Sequence, residues 1–246
     1  MKKTIVFLLI VCFLTGVADA GGESHWYFMP TKDSSRPTLP PHDIEDPGEG
    51  AILLGPDEKR VYLTFDAGYI NENVLKITEV LEEEEVPATF FILRQVVREN
   101  APLISRWKSA GFLVGNHTLT HANCARLTKE ELSKELTSLA DLYRETTGFE
   151  MDKFFRPPEG SYNRETVETA LSLGYKTVFW SVAYADWDNN NQKDAASSLS
   201  LLLSRTHNGA VVLLHPTSAT NAAILKDYIR TLKNEGYTFG SLEEIA

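Results

Sequence analysis

From about residue 50 to the C-terminus, short apolar runs alternate with amphipathic stretches. The runs predict strands over residues 61–66, 88–93, 112–116, 153–156, 175–182, 210–215 and 237–240. They read as continuous apolar segments, as strands buried on both faces do. Between them the apolar period lengthens to that of a helix. Residues 71–85 carry Val74, Ile77 and Leu81 on one face, with Pro87 just beyond. Residues 95–110 form the next predicted helix, followed by Gly111. Thr128 and Glu131 make a capping box for a helix that steps through Leu132, Leu136, Leu139 and Tyr143 and closes at Gly148. Asn163 caps another that carries Val167 and Leu171 and ends at Gly174. The last two predicted helices span 193–205 and 221–235.

About seven βα units in this order predict a parallel sheet in one α/β domain. An open doubly wound sheet and a barrel both fit the count. Polar residues at the C-terminal ends of the strands or just beyond them, Asp66, His117, Arg156, Asp186 and His215, favour a distorted TIM-like barrel, which places its chemistry there.

The N-terminus reads differently. Lys2 and Lys3 precede an apolar run over residues 5–14, and Ala18-Asp19-Ala20 follows. Residues 1–20 are therefore read as a signal peptide, with an uncleaved anchor as the alternative. The run is too short to span a bilayer comfortably, so no stable membrane insertion is expected after cleavage. Residues 21–55 are Pro-rich and polar, an extended leader pinned to the domain by Trp26, Tyr27 and Phe28. The domain proper is assigned to residues 56–246. Cys124 alone remains beyond the signal, so no intrachain disulfide can form and packing must supply stability. The formal net charge is −10, and loss of Lys2, Lys3 and Asp19 makes it more negative. Binding of nucleic acid through a cationic surface is thereby excluded. A monomer is expected.

Two imidazoles four residues apart, His117 and His121, either aim at one metal ion or are two solvated or core histidines. Thr118 stands where a zinc-protease motif needs its glutamate, so a base must come from elsewhere. Asp66, closing an apolar strand before Ala67-Gly68-Tyr69, is either an N-cap for the next helix or a base or metal ligand facing a cleft. Arg156, stiffened by Pro157 and Pro158, serves a structural salt bridge or keeps a carboxylate ionised. Trp187 is core or a pocket wall. His215 is a satisfied structural residue or, beside Asp186, a tunable proton donor.

Taken in order, Thr64-Phe65-Asp66-Ala67-Gly68, His117-Thr118-Leu119-Thr120-His121, Arg156-Pro157-Pro158-Glu159-Gly160, Asp186-Trp187 and Leu213-Leu214-His215 resemble the ordered motifs of the polysaccharide deacetylase family. The stretches 179–187 and 190–193, with Gly68-Tyr69, resemble its spore-cortex subgroup, the de-N-acetylases that prepare muramic δ-lactam. The resemblance implies a distorted (β/α)7 barrel and removal of acetyl groups from cell-wall glycan, in the wall or spore cortex space. It implies Asp66 as general base oriented by Arg156, and His215 as general acid partnered by Asp186. By the same resemblance His117 and His121 hold a divalent metal, usually zinc. Trp187 and Leu213 would wall the acetyl-methyl pocket, Tyr69 would contact substrate, and the backbone N–H of Glu159 would help hold the oxyanion.

Two positions depart from the pattern. Ala67 stands where most of the family has a third, carboxylate metal ligand, so the metal is expected to be weakly held and strongly electrophilic. Glu159 replaces a common Tyr. The expected substrate is N-acetylmuramic acid in glycan freed of its stem peptide, with Arg164 the candidate cation for the lactyl carboxylate. The rivals are a deacetylase of N-acetylglucosamine polymers and a catalytically dead sugar-binding relative.

Overall fold

The computed structural model describes residues 22–31 and 33–246; the expected signal peptide lies outside the described residues. In chain order the strands are β1 (Ser24–His25), β2 (Ala51–Ile52), β3 (Arg60–Ala67), β4 (Ala88–Ile92), β5 (Leu113–Asn116), β6 (Phe154–Phe155), β7 (Ser161–Tyr162), β8 (Lys176–Val178), β9 (Ala210–Leu214) and β10 (Thr238–Phe239). The helices are α1 (Glu72–Glu83), α2 (Arg94–Glu99), α3 (Ala101–Ser109), α4 (Lys129–Thr147), α5 (Arg164–Ser172), α6 (Ala195–Arg205) and α7 (Ala219–Asn234).

Parallel pairing runs β9-β3-β4-β5-β6-β8-β2, with β10 also on β3. Beyond β8 the chain returns to the far side of the sheet, where Val182 bridges Val212 of β9. The sheet thus curls into a distorted barrel in one domain. β3 shows how sequence sets the two layers. Val61, Leu63, Phe65 and Ala67 join the helix-facing core with Val74, Ile77 and Leu81 of α1 and Leu225 and Ile229 of α7. Its alternate residues turn inward: Tyr62 packs with Phe91, Val178 and Val211, and Thr64 and Asp66 sit above them. Each large side chain buried this way contributes about 1.5–3 kcal/mol. Gly115 of β5 has no alternative inside the ring, since a Cβ there would lie 2.7 Å from the Phe91 ring and 2.8 Å from the Phe154 carbonyl.

Three expectations need correction. The helix predicted over 95–110 is two helices, α2 and α3, meeting at Asn100. Pro102 has no N–H to give and its ring crowds the carbonyl four residues back, which ends the first helix. The strand predicted over 175–182 keeps only β8 in regular pairing; residues 179–182 swing across to β9. The leader, expected to hold little regular structure, adds β1 antiparallel to β7 and places β2, at 51–52, beside β8 as a strand of the barrel sheet. Its anchor is Trp26, which packs against Phe179 with ring centroids 4.6 Å apart and donates its indole N–H to the Trp180 carbonyl. Among the described residues no helix is long and apolar enough to cross a membrane.

Candidate active site

The C-terminal ends of the strands open into a cleft of about 800 Å³. Asp66, His117, His121 and His215 line it, with Tyr69, Glu159, Trp187 and Leu213. Leader residues Trp26, Tyr27 and Phe28 supply one wall. Trp187 is 64% exposed and belongs to the rim, not the core.

Asp66 is set by the inward register of β3. Arg156, fully buried, donates from Nη1 to Asp66 Oδ1 at 2.8 Å. Its Nε and Nη2 donate to Thr64 Oγ1 and the carbonyls of Val178 and Phe179, and its guanidinium lies over the Phe91 ring. The fork cannot turn without leaving donors unpaired inside the barrel. Burial alone would raise the Asp66 carboxyl; the charge of Arg156, helped by His117 and His215, outweighs it and holds the carboxyl below its ordinary value.

His117 follows β5. Its Nδ1 lies 2.8 Å from the Arg156 carbonyl, an acceptor, so the ring proton sits there and Nε2 carries the lone pair. That Nε2 is 3.7 Å from Asp66 Oδ2. Burial pushes the imidazole down to about 4, so it is neutral at physiological pH. His121 comes back to the same place because the intervening turn is forced. Thr118 and His121 have φ of 67° and 62°, a left-handed backbone that costs strain for residues with a Cβ. Asn116 Oδ1 accepts from the Thr118 N–H, and the Glu135 carboxylate takes both the N–H and the hydroxyl of Thr120. The two imidazoles stand 5.2 Å apart at 76°.

A two-imidazole donor set with one tautomer fixed suits a divalent ion that keeps its other positions open. Among the described residues no group of three or more His, Cys, Asp or Glu is arranged to hold a metal. Ala67 ends β3 fully buried in the helix-facing core and does not line the cleft.

His215, just past β9, has Nδ1 at 2.8 Å from Asp186 Oδ1, while its own N–H donates to Asp186 Oδ2. Burial alone would lower this imidazole; the Asp186 hydrogen bond and charge overcome it and raise it above its ordinary value. Asn221, in the first turn of α7, was not anticipated. Its side-chain N–H groups reach Asp186 Oδ2 and the His215 carbonyl, and its Oδ1 accepts from Tyr184. Only its place on a helix facing the strand end could have flagged it, since Asn carries no titrating group. Gln192 fastens the 186–193 loop to the start of α7 through the Ser218 hydroxyl and the Thr220 N–H. Asn189 donates to the Tyr69 hydroxyl at 2.6 Å, linking rim residues from two loops.

Arg164 is not brought to the cleft. It opens α5, is half-exposed and pairs with Glu45 of the leader at 3.3 Å. Its place directly after the Asn163 cap pointed to a helix start, and a helix-start Arg turned to an acidic leader is what the fold makes of it.

A polysaccharide deacetylase family model matches residues 54–178. The chain belongs to the polysaccharide deacetylase family. It is similar to the peptidoglycan-N-acetylmuramic acid deacetylase PdaA of Bacillus subtilis, 38% identical over 196 residues, which are 79% of this chain and 74% of that one. The solved structure of PdaA, a family 4 carbohydrate esterase, superposes with a TM-score of 0.83 at 34% identity, covering 91% of this chain and 96% of the other. The peptidoglycan-N-acetylglucosamine deacetylase PgdA of Listeria monocytogenes is 30% identical over 187 residues, 76% of this chain and 39% of that longer one. BA3943 of Bacillus anthracis, a pseudoenzyme of the same esterase family, matches with a TM-score of 0.73 at 31% identity, over 82% of this chain and 69% of its own; a mutant of it has restored enzymatic activity. The protein is accordingly an amide hydrolase of N-acetyl groups, in a family that includes peptidoglycan deacetylases.

Proposed function

We propose that this hydrolase removes the acetyl group from amino sugars of cell-wall glycan, after secretion across the cytoplasmic membrane. The observation that carries the reading is a pair of oppositely partnered groups on one cleft: Asp66, bonded to Arg156 at 2.8 Å and lowered by it, and His215, bonded to Asp186 at 2.8 Å and raised by it. In the proposed reaction Asp66 takes a proton from the attacking water as the water adds to the acetyl carbonyl. Arg156 keeps the base charged and aimed. His215 Nε2 then gives its proton to the leaving nitrogen as the carbon–nitrogen bond breaks, releasing acetate and a free amine. Asp186 holds the His215 ring through Nδ1 and stabilises its charged form. Leu213 and Trp187 offer the acetyl methyl an apolar wall, and the Glu159 N–H, on its left-handed turn, is a donor for the developing oxyanion. His117 and His121 would hold a divalent metal, zinc by resemblance, whose contribution when bound is to polarise the carbonyl and acidify water.

For the sugar, the likeness to PdaA and to the spore-cortex stretches supports N-acetylmuramic acid in peptide-free glycan. Its freed amine lies beside the lactyl carboxyl, and their condensation gives muramic δ-lactam. One observation favours N-acetylglucosamine instead: Arg164, the expected partner of a lactyl carboxylate, faces Glu45, and neither Lys nor Arg is among the described residues lining the cleft. Incubation with peptide-free muramyl glycan and with N-acetylglucosamine oligomers, with assay of acetate and new amine, tests the activity. Release of both in equal amounts supports it, and release of neither from either glycan refutes it.

A further inference from the structure

The cleft is uneven in charge. Its carboxylates are Asp66 and Glu159, and no described Lys or Arg side chain lines it. Asp66 is matched by Arg156, and the raised imidazole of His215 is matched by Asp186. Glu159 is exposed, and no ion pair or side-chain hydrogen bond engages it among the described residues. Two arginines of the neighbouring segments pair with the leader instead, Arg164 with Glu45 and Arg126 with Glu23.

The backbone that carries this carboxylate is held in place. Glu159 has φ of 57°, between Pro158 and Gly160. The Trp26 N–H donates to the Gly160 carbonyl at 2.8 Å. A Cβ on Gly160 would lie 2.8 Å from the Trp180 ring and 2.9 Å from Trp26 Cβ, so the turn is packed against both tryptophans. Leader and barrel together fix the backbone turn that carries this negative charge at the rim, with Trp26, Tyr27 and Trp180 lining the same cleft. Aromatic walls displace water and leave such a charge less screened than on an open surface.

We infer that Glu159 is a specificity-determining residue that sorts glycans by charge: the cleft accepts sugars that are neutral or amine-bearing where they face it and disfavours those with a free carboxylate, a bare lactyl group included. The inference rests on the deacetylase reading and deepens it. A glycan whose lactyl carboxyl is tied up in an amide passes this filter, as does one already partly de-N-acetylated. At a partly solvated separation each unit of charge is expected to change kcat/KM about tenfold.

The test is a charge series assayed by acetate release: partly de-N-acetylated N-acetylglucosamine oligomers, fully acetylated oligomers, and peptide-free muramyl glycan. Wild type, Glu159→Gln and Glu159→Arg are compared by ratios of kcat/KM within each protein, so a general loss of rate does not enter. Wild type should favour the amine-bearing and neutral glycans over the carboxylate-bearing one by about tenfold or more. Glu159→Gln should flatten the series and Glu159→Arg should invert it, and 0.5 M salt should compress the wild-type ratio, as screening requires. Acetate release with ratios that do not move between wild type and Glu159→Arg overturns the inference while leaving the deacetylase reading intact. A wild-type preference for the carboxylate-bearing glycan overturns it as well. No acetate from any glycan with any of the folded proteins overturns both.

Discussion

Arg156 Nη1 donates to Asp66 Oδ1 at 2.8 Å from a position with no exposure to solvent. The barrel interior therefore contains a charged residue tied to four acceptors, and a carboxylate whose ionisation depends on it. Arg156→Lys keeps the charge but loses the fork that also serves Thr64, Val178 and Phe179. Asp66 should then titrate at higher pH, moving the acid limb of kcat/KM upward. Arg156→Ala leaves a buried charge unpaired and should cost about 3–5 kcal/mol of stability, read by denaturant unfolding.

The pH profile of wild type follows from two opposite shifts. Asp66 is depressed, so the base is ionised from below its ordinary value upward. His215 is raised, so the acid stays protonated beyond its ordinary 6.5. Both required forms coexist between those limits, and kcat/KM should be bell-shaped with a plateau widened on both sides. Asp186→Asn removes the cause that raises His215, so the alkaline limb should move to lower pH while the acid limb stays. An alkaline limb that does not move would separate His215 from the acid's role.

Asn221→Ala should behave as a positioning defect. It strips a donor from Asp186 Oδ2 and the partner of the Tyr184 hydroxyl, both buried. An unpaired buried polar group costs about 1–3 kcal/mol. The expected signature is a loss of stability of that size with a fall in kcat, and Asn221→Asp, which repels Asp186, should be worse than Ala.

Metal binding is predicted to be weak and exchangeable. Calorimetric titration with zinc should show one site in wild type, absent in His117→Ala and His121→Ala, and chelator should lower activity reversibly. Wild type that binds no zinc and works unchanged in chelator would remove the metal from the reaction.

Much of this was readable from residues 60 onward because β3 carries its own logic. Its run of apolar residues demands burial on both faces, and a carboxylate ending such a run must meet a cleft or a partner. The caps at Thr128 and Asn163 were equally plain, since their side chains bond N–H groups three residues on. Long-range pairing was less visible. Nothing local to Trp26 says that its indole will meet the Trp180 carbonyl, 154 residues away, or that a Pro-rich leader will wall the cleft. Asn221 was hidden for the same reason: its function lies in satisfying Asp186 and Tyr184, which only the folded chain brings near. Arg164 illustrates the opposite error, a cation chosen by proximity in sequence that the fold points away from the cleft.

The most direct measurement is acetate released by Asp66→Asn against wild type on N-acetylated cell-wall glycan, with unfolding curves run beside it. Asn keeps the shape of Asp66 but cannot take the proton from water. The account predicts a folded variant slower by about 10²–10⁴. A folded Asp66→Asn with near wild-type acetate release would contradict it.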